Sequence, residues 1–199
     1  MNPNTYLSER ERAKLESVRV GVAGAGGLGS NCAMHLVRAG VVHLVVADFD
    51  VVSESNLNRQ FFFRDQVGRP KVEALAENLR RINPDVDIEL HDERIGKGNF
   101  ASVFGSCDIL VEAFDAAEAK LMFLTEAPKL GRPMVVASGI AGWGRSAAIL
   151  QRRMGGRLVV IGDGESDVGT GIPPVSPRVG IAAAMEANAV CALALGLEI

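Results

Sequence analysis

The sequence predicts an α/β fold of the Rossmann-like, doubly wound type, in which a mostly parallel sheet carries an antiparallel C-terminal extension. The first observation is that short apolar runs, typical of buried strands, alternate with helical patterns. The second is a glycine-rich turn between the first strand and the first long helix. The third is a late pair of strand patterns, residues 147–152 and 157–161, which flank two glycines and predict a hairpin.

Each element can be placed in order along the chain. Strand patterns precede the hairpin at residues 18–23, 42–47, 86–90, 108–112 and 134–137. Helical patterns lie at residues 6–16, 28–38, 71–82, 99–104, 116–129 and 178–195. The strand at 86–90 alternates apolar and polar residues, so we expect it at an edge. We expect one domain over 1–199, with 1–17 as an N-terminal helical arm and 162–177 as a mobile loop.

Composition narrows the class of protein. The chain has 199 residues, 48% of them hydrophobic, and a net charge of −3, so we expect a proper core and neither nucleic acid nor a membrane surface as a partner. The N-terminus is polar and no apolar run reaches about 18 residues, so we expect no signal peptide or membrane span and a cytoplasmic location. Cys32, Cys107 and Cys191 form no C-x-x-C pair; we expect small buried hydrophobes and no zinc.

The glycine-rich turn predicts a nucleotide site. Residues 24–29 fit the pattern G-x-G-x-x-G, in which Gly24 and Gly26 allow a tight turn near a phosphate and Gly29 allows close helix packing. The helix start that follows offers free N–H groups and a positive dipole end to an anion. Asp48, after the second strand, is placed to accept hydrogen bonds from ribose hydroxyls. The alternative is a plain glycine-rich turn without a ligand.

Amide and basic side chains follow Asp48 closely. Residues 55–60 are Ser-Asn-Leu-Asn-Arg-Gln, and residues 68–71 are Gly-Arg-Pro-Lys. An NAD dehydrogenase does not need such a cluster beside the acid that binds the ribose. A site that binds a triphosphate does need one. Lys71 lies in the first turn of a helix, where a cation opposes the helix dipole unless it has an anionic partner. This position favours a phosphate-binding role for Lys71.

These segments resemble the ThiF/MoeB/HesA family, which is related to the ubiquitin-activating enzymes. The resemblance covers most of the chain, is strongest over residues 24–71, and is closest to the short ThiF form, a sulfur carrier protein adenylyltransferase. It implies an enzyme that uses ATP to adenylate the C-terminal carboxylate of a ubiquitin-like sulfur carrier ending in Gly-Gly, releasing pyrophosphate. The short form implies a ThiS-like carrier in thiamine thiazole biosynthesis. The resemblance also implies a homodimer.

The same resemblance implies roles for particular residues. Asn56, Arg59 and Lys71 would bind the ATP phosphates, and Asp115, after the strand at 108–112, would bind Mg²⁺. Arg59, Lys71 and Asp115 would be the catalytic residues. A carboxylate nucleophile is already ionised at pH 7, so the reaction needs no general base. The family usually has asparagine after the aspartate, whereas this chain has Ala116.

Two further features follow from the resemblance. In the family an arginine of the N-terminal helix reaches the ATP of the other subunit, and here Arg10 and Arg12 are both candidates; the alternative is a solvated helix face. Residues 162–177 would be the crossover loop above the carrier tail, without the cysteine that some members use for sulfur transfer.

Residues 61–63, three phenylalanines, suit a mixture of core and dimer contact.

Other functions stay open at this point. An NAD-dependent oxidoreductase shares the βαβ unit and its acid, although Tyr6 is the only tyrosine and no histidine lies near a plausible nucleophile. A family member acting in molybdopterin synthesis or tRNA modification would keep the ATP site. A non-enzymatic nucleotide-binding protein is a further alternative. Asp115 could also serve only as a helix N-cap.

Overall fold

The computed structural model describes residues 6–166 and 171–199. Its strands are β1 Arg19–Ala23, β2 His43–Ala47, β3 Asp87–His91, β4 Ile109–Glu112, β5 Met134–Ala137, β6 Leu150–Met154 and β7 Leu158–Gly162. Its α-helices are α1 Glu9–Ser17, α2 Gly27–Ala39, α3 Lys71–Ile82, α4 Phe100–Phe104, α5 Ala117–Glu126 and α6 Ser176–Leu195. Short 3₁₀ helices cover Glu54–Asn56, Arg64–Gln66, Ala127–Leu130 and Ser146–Ala148.

The described strands form one seven-stranded sheet in the order β3-β2-β1-β4-β5-β7-β6. The β6–β7 pair is antiparallel and the other pairs are parallel, which confirms the predicted doubly wound fold and its antiparallel extension. β7 itself lies parallel to β5, so the reversed direction is confined to the edge strand β6. The chain builds outward from β1 to β3 and then returns to β4, so the strand order reverses between β1 and β4.

Helices cover both faces of this sheet. Successive residues of β2 alternate between two cores: Leu44 and Val46 belong to one, Val45 and Ala47 to the other. The first core includes buried residues of α2, α3 and α6, and the second includes those of α4 and α5. This period of two follows from the pleat of a strand covered on both sides.

Most element boundaries agree with the sequence prediction, and the differences have local causes. The helix predicted at 116–129 is α only to Glu126 and then becomes 3₁₀, because Pro128 has no N–H to continue the α-helical bonds. The last helix begins at Ser176, two residues earlier than predicted, with Pro177 in its first turn. The predicted mobile loop at 162–177 lies partly outside the described residues, since 167–170 are not among them.

By length and composition, α6 is the one helix in the described ranges that could cross a membrane, whereas the sequence predicted no such span. Within the fold, 44% of its most apolar window is buried, and the helix packs extensively against α2. The core helix of an α/β protein meets the same length and composition test. Its apolar character is therefore accounted for by packing.

Two sequence expectations about buried side chains hold in part. Cys32 and Cys107 are buried as expected, whereas Cys191 is only half-buried. Burial raises the pKa of Cys107 to about 12 and that of Cys191 to about 11, so neither thiol is activated. Of the three phenylalanines, Phe62 is in the core and Phe63 is exposed, with an edge-to-face contact between Phe61 and Phe63.

Candidate functional site

A cleft of about 910 Å³ opens at the carboxyl ends of β1, β2, β4 and β5, over the point where the strand order reverses. Ligands of open α/β sheets bind at such a position. Six residues that the sequence singled out line this cleft: Gly24, Gly26, Asp48, Arg59, Lys71 and Asp115. They come from five separate places in the chain and meet only in the folded protein.

The glycine turn lies at the floor of the cleft. Gly24 has φ of +108°, and a Cβ there would lie 2.6 Å from the Ala113 carbonyl oxygen. Gly29 does not line the cleft, but a Cβ there would lie 1.8 Å from the Gly24 carbonyl oxygen, so the helix can pack this closely only on glycine. A Cβ at Gly26 would meet only the Gln60 side chain, at 3.9 Å. The first turn of α2 has no side-chain cap and no acid, so its N–H groups remain available to an anion.

Asp48 connects the second strand to the glycine turn. Its Oδ2 accepts a hydrogen bond from the Ala25 N–H at 2.6 Å, and its Oδ1 accepts one from the Asp50 N–H at 2.8 Å. Burial raises the pKa of the Asp48 carboxyl, while the Lys71 charge and these two N–H groups act in the opposite direction. Each carboxylate oxygen keeps a second lone pair, so the two oxygens can still accept hydrogen bonds from the two hydroxyls of a diol.

Lys71 begins α3 and is 5% exposed. A cation in the first turn of a helix needs an anionic partner, and the chain itself supplies one. The Lys71 Nζ lies 2.7 Å from Oδ2 of the exposed Asp50. Asp50 was not predicted as a site residue from the sequence, although the spacing of the two acids around Phe49 could have indicated it. The ion pair with Asp50 therefore also explains why a cation is tolerated in the first turn of α3, without a bound phosphate.

Arg59 and Asn56 lie in the segment that leads from β2 to α3. Arg59 lines the cleft beside Gly27, and its Nη1 donates to the Asn58 side chain at 2.8 Å. Asn56 does not line the cleft; its Oδ1 accepts a hydrogen bond from the Ser53 N–H at 3.0 Å and caps a 3₁₀ turn. The structure thus brings Arg59 to the site directly and places Asn56 in the turn that precedes it.

Asp115 is exposed at the mouth of the cleft, before α5. The N-cap of α5 is Ala116 and no side chain caps this helix, which argues against an N-cap role for Asp115. Within the described ranges no hydrogen bond or ion pair to the Asp115 side chain is found. The backbone of the preceding residue is held by the buried Glu112, which accepts bonds from the Phe114 N–H at 2.7 Å and from Lys120 Nζ at 2.9 and 3.0 Å.

Sequence reasoning missed this Glu112–Lys120 pair. Glu112 is buried, and burial raises the pKa of its carboxyl while the Lys120 charge lowers it. Lys120 also lines the cleft and adds a cation that the sequence analysis did not list. A charged residue at the end of an apolar strand, followed eight residues later by a lysine, is the signal that could have indicated them.

Arg10 and Arg12 do not line the cleft of their own chain. Their helix α1 contacts α6, where Lys14 Nζ donates to the Leu195 carbonyl oxygen at 2.6 Å. Val179, which does line the cleft, lies sixteen residues before Leu195 in the same helix, a separation of about 24 Å at about 1.5 Å per residue. Arg10 and Arg12 are therefore not part of the cleft that their own chain forms.

The far wall of the cleft consists of residues 138–141 and 164–166. It is held by a buried ion pair, in which Arg178 Nη2 lies 2.6 Å from Asp163 Oδ2. Arg178 Nη1 also donates to the carbonyl oxygens of Gly144 and Arg145, and Asp163 Oδ1 accepts from two N–H groups of the segment 165–166. This pair joins three segments and was not found from the sequence, although a cation in the first turn of a helix was again a signal.

One comparison decides the family. The family model described as the ThiF family matches residues 2–196.

The chain belongs to the ThiF family.

Two curated proteins with different names are similar to this chain in sequence. The SAMP-activating enzyme E1 of Haloferax volcanii is 45% identical over 105 residues, which are 52% of this chain and 39% of that protein. The adenylyltransferase and sulfurtransferase UBA4 of Eremothecium gossypii is 36% identical over 130 residues, which are 65% of this chain and 29% of that protein. The chain therefore spans only about three to four tenths of the length of these relatives.

A solved structure of similar fold is the E. coli tRNA N6-threonylcarbamoyladenosine dehydratase TcdA in complex with ATP. It matches with a TM-score of 0.82 over 98% of this chain and 90% of its own. The two sequences are 21% identical, so the match shows a shared fold.

Proposed function

We propose that this ThiF-family protein is an ATP-dependent adenylyltransferase that activates the C-terminal carboxylate of a ubiquitin-like sulfur carrier protein. The observation that carries the proposal is the cleft at the strand reversal, which brings a glycine turn, a ribose-type acid, two phosphate-type cations and a free carboxylate together. The names of the curated relatives, an activating enzyme and an adenylyltransferase, support the same reaction class.

The reaction suits a site with cations and no general base. A carboxylate oxygen of the carrier attacks the α-phosphorus of ATP, the new C–O–P bond forms, and the bond from the α-phosphorus to the bridging oxygen breaks to release pyrophosphate. The nucleophile is already ionised at pH 7, so no proton has to be removed. The protein must hold two anions together and stabilise the charge of the leaving group, which is work for positioned cations.

Each predicted residue has a role in this proposal. Gly24 and Gly26 allow the backbone to approach the phosphates, Gly29 lets α2 pack closely against the glycine turn, and Asp48 binds the ribose hydroxyls. Arg59 and Lys71 contact the phosphates, with Lys71 exchanging its Asp50 partner for a phosphate oxygen. Asn56 would contribute its amide NH₂, since only its Oδ1 is used by the turn.

Asp115 fits a magnesium ion that is held jointly with ATP. The described residues contain no cluster of three or more His, Cys, Asp or Glu side chains that could hold a metal alone. Mg²⁺ is commonly bound by one or two carboxylates together with phosphate oxygens and water, and the exposed Asp115 at the mouth of the cleft supplies one carboxylate. When bound, the ion would neutralise charge on the phosphates.

The assembly and the pathway are the finer parts of the proposal. We infer a cytoplasmic homodimer in which Arg10 or Arg12 contacts ATP in the other subunit, because α1 lies away from the cleft of its own chain. The carrier ends in Gly-Gly and is of the ThiS type that serves thiamine synthesis. A carrier for molybdopterin synthesis, or a carboxylate on a modified tRNA, would use the same ATP site.

The test is ATP–pyrophosphate exchange with labelled pyrophosphate and Mg²⁺. We expect exchange only with a Gly-Gly-ended carrier, and its loss when the terminal glycine of the carrier is removed. Exchange that requires modified tRNA instead would assign the protein to tRNA modification. ATP binding without exchange for any carrier or tRNA would contradict an adenylyltransferase, and NADH binding with fluorescence enhancement would favour an oxidoreductase.

A further inference from the structure

The cleft carries a third cation that has no role in the site described so far. Lys120 lines the cleft together with Arg59 and Lys71, and these three are the only basic side chains among its described lining residues. The side chain of Lys120 is 31% exposed, whereas that of its ion-pair partner Glu112 is 2% exposed. The positive end of this pair is therefore the end that a ligand in the cleft can reach.

Lys120 lies in the half of the cleft that is remote from the acid assigned to the ribose. Its Nζ is 2.9 Å from Oε2 of Glu112 and 3.4 Å from the carbonyl oxygen of Ala137, the last residues of β4 and β5. Asp48 follows β2, and β1 and β4 lie between β2 and β5. With neighbouring strands about 4.8 Å apart, the Lys120 ammonium is roughly 12 Å along the sheet from the end of β2. The glycine turn after β1 lies between the two positions.

The other charged side chains that line this half of the cleft are acidic. Asp115 lies before α5 and Glu165 belongs to the far wall, and both residues are exposed. A second anion that entered here beside the nucleotide would be repelled by these two carboxylates. Lys120 is the cation of this half, so an anionic group of a second substrate would bind most favourably against its ammonium.

The fold itself does not require a charged pair at this position. Glu112 also accepts the Phe114 N–H at 2.7 Å, a bond that the oxygen of an amide would accept equally well. Ion pairs with a buried partner add little net stability, because desolvation offsets most of the attraction. An ammonium has three donor hydrogens; Glu112 takes two, and the 3.4 Å contact with Ala137 uses the third only weakly. One N–H of Lys120 can therefore turn to a ligand.

We propose that Lys120 binds the nucleophilic carboxylate of the second substrate, donating to the carboxylate oxygen that does not attack the α-phosphorus. This assignment rests on the proposed function, because it names the contact that the substrate carboxylate makes in the same cleft. Lys120 stays protonated, since the carboxylate reacts as an anion and no proton is transferred. Arg59 and Lys71 hold the triphosphate and Lys120 holds the second anion, so each reactant has its own cation.

The chain offers a matched control in Lys129. Its Nζ lies 2.6 Å from Glu126 Oε2, but neither residue lines the cleft. Lys129→Met therefore removes a lysine and its ion pair away from the site. The double variant Glu112→Gln/Lys120→Met covers the case in which Lys120→Met alone does not fold, because the new amide can still accept the Phe114 N–H and no buried charge is left unpaired.

The test measures the binding of two short fluorescent peptides that end in Gly-Gly, one with a free C-terminal carboxylate and one with a C-terminal amide. Anisotropy is recorded with the protein saturated with the α,β-methylene analogue of ATP, which prevents the reaction. We expect wild type and Lys129→Met to bind the acid about ten- to a hundredfold more tightly than the amide. We expect Lys120→Met and the double variant to bind both peptides equally weakly and to keep their affinity for the ATP analogue.

The outcomes separate this inference from the proposed function. A wild type without preference for the acid, or a preference that persists in the Lys120 variants, would overturn the carboxylate contact, while pyrophosphate exchange with a carrier would still support the adenylyltransferase. An equal loss of affinity for the ATP analogue in these variants would show a structural role and would also overturn it. Absence of exchange in the wild type, with an acid preference that depends on Lys120, would overturn the adenylyltransferase alone.

Discussion

Replacing Glu186 with glutamine should stabilise this protein at neutral pH and flatten the pH dependence of its unfolding free energy. Glu186 lies in the middle of α6 and is 0% exposed, and neither of its carboxyl oxygens has a hydrogen-bond partner among the described residues. Burial raises the pKa of this carboxyl well above its ordinary value, and the nearby Glu112 raises it further, while Lys120 lowers it.

The sign of the effect follows from which state binds the proton. The folded protein holds the proton on Glu186 above the ordinary pKa of 4.5, whereas the unfolded chain releases it there. The folded state therefore loses stability relative to the unfolded chain as pH rises from about 4.5 to the raised pKa of Glu186, by about 1.4 kcal/mol per pH unit. Below about pH 4.5 this contribution is fully present.

Glutamine resembles the protonated acid and cannot ionise. The unfolding free energies of wild type and Glu186→Gln should thus be similar near pH 4.5 and diverge above it by about 1.4 kcal/mol per unit until the pH reaches the raised pKa of Glu186. Urea unfolding of both proteins at half-unit intervals from pH 4.5 to 8 measures the difference. Glu118→Gln, at an exposed position of α5, is the control and should run parallel to wild type. Parallel curves for Glu186→Gln would refute the reasoning.

Three other predictions concern the cleft. Asp115→Ala should reduce ATP–pyrophosphate exchange at least about a hundredfold without changing the melting temperature, because its side chain is exposed; full exchange activity would remove the metal assignment. Gly29→Ala should lower the urea midpoint by the equivalent of about 1–3 kcal/mol, since its Cβ would lie 1.8 Å from a carbonyl oxygen, whereas Gly26→Ala, with open space, should not; equal midpoints would contradict the close packing. Asp50→Asn should destabilise the protein more than Lys71→Met, by about 1–3 kcal/mol, because it removes the carboxylate that pairs with a buried ammonium while the second change leaves an exposed carboxylate; urea unfolding of both variants would contradict this if the order were reversed.

The glycine turn shows how far local sequence could predict the site. Gly24, Gly26 and Gly29 were placed correctly because their spacing describes one turn and one helix start, where neighbours in sequence are also neighbours in space. The same holds for Lys71, since a helix first turn can be recognised locally. The alternation of strands and helices predicted the parallel sheet for the same reason, because each element carries its own period.

Contacts between distant segments could not be predicted in this way. The pairing of Lys71 with Asp50 spans 21 residues, and that of Arg178 with the Gly144 carbonyl oxygen spans 34. Neither spacing has a period that a local pattern could reveal. The same limit applies to Gln60, which belongs to a motif in the sequence, but whose burial and unpaired Oε1 are properties of the packed protein alone.

The sequence by itself determined the fold class and the family resemblance, and it supplied the side chains that we propose to bind phosphate, because these depend on residue type and on spacing within single elements. Only the tertiary structure decided which of those side chains share a cleft, that α1 lies away from the cleft of its own chain, and that Asp50 already occupies Lys71. These facts depend on distances between segments that are far apart in the chain, and the packing of the sheet and its helices sets those distances.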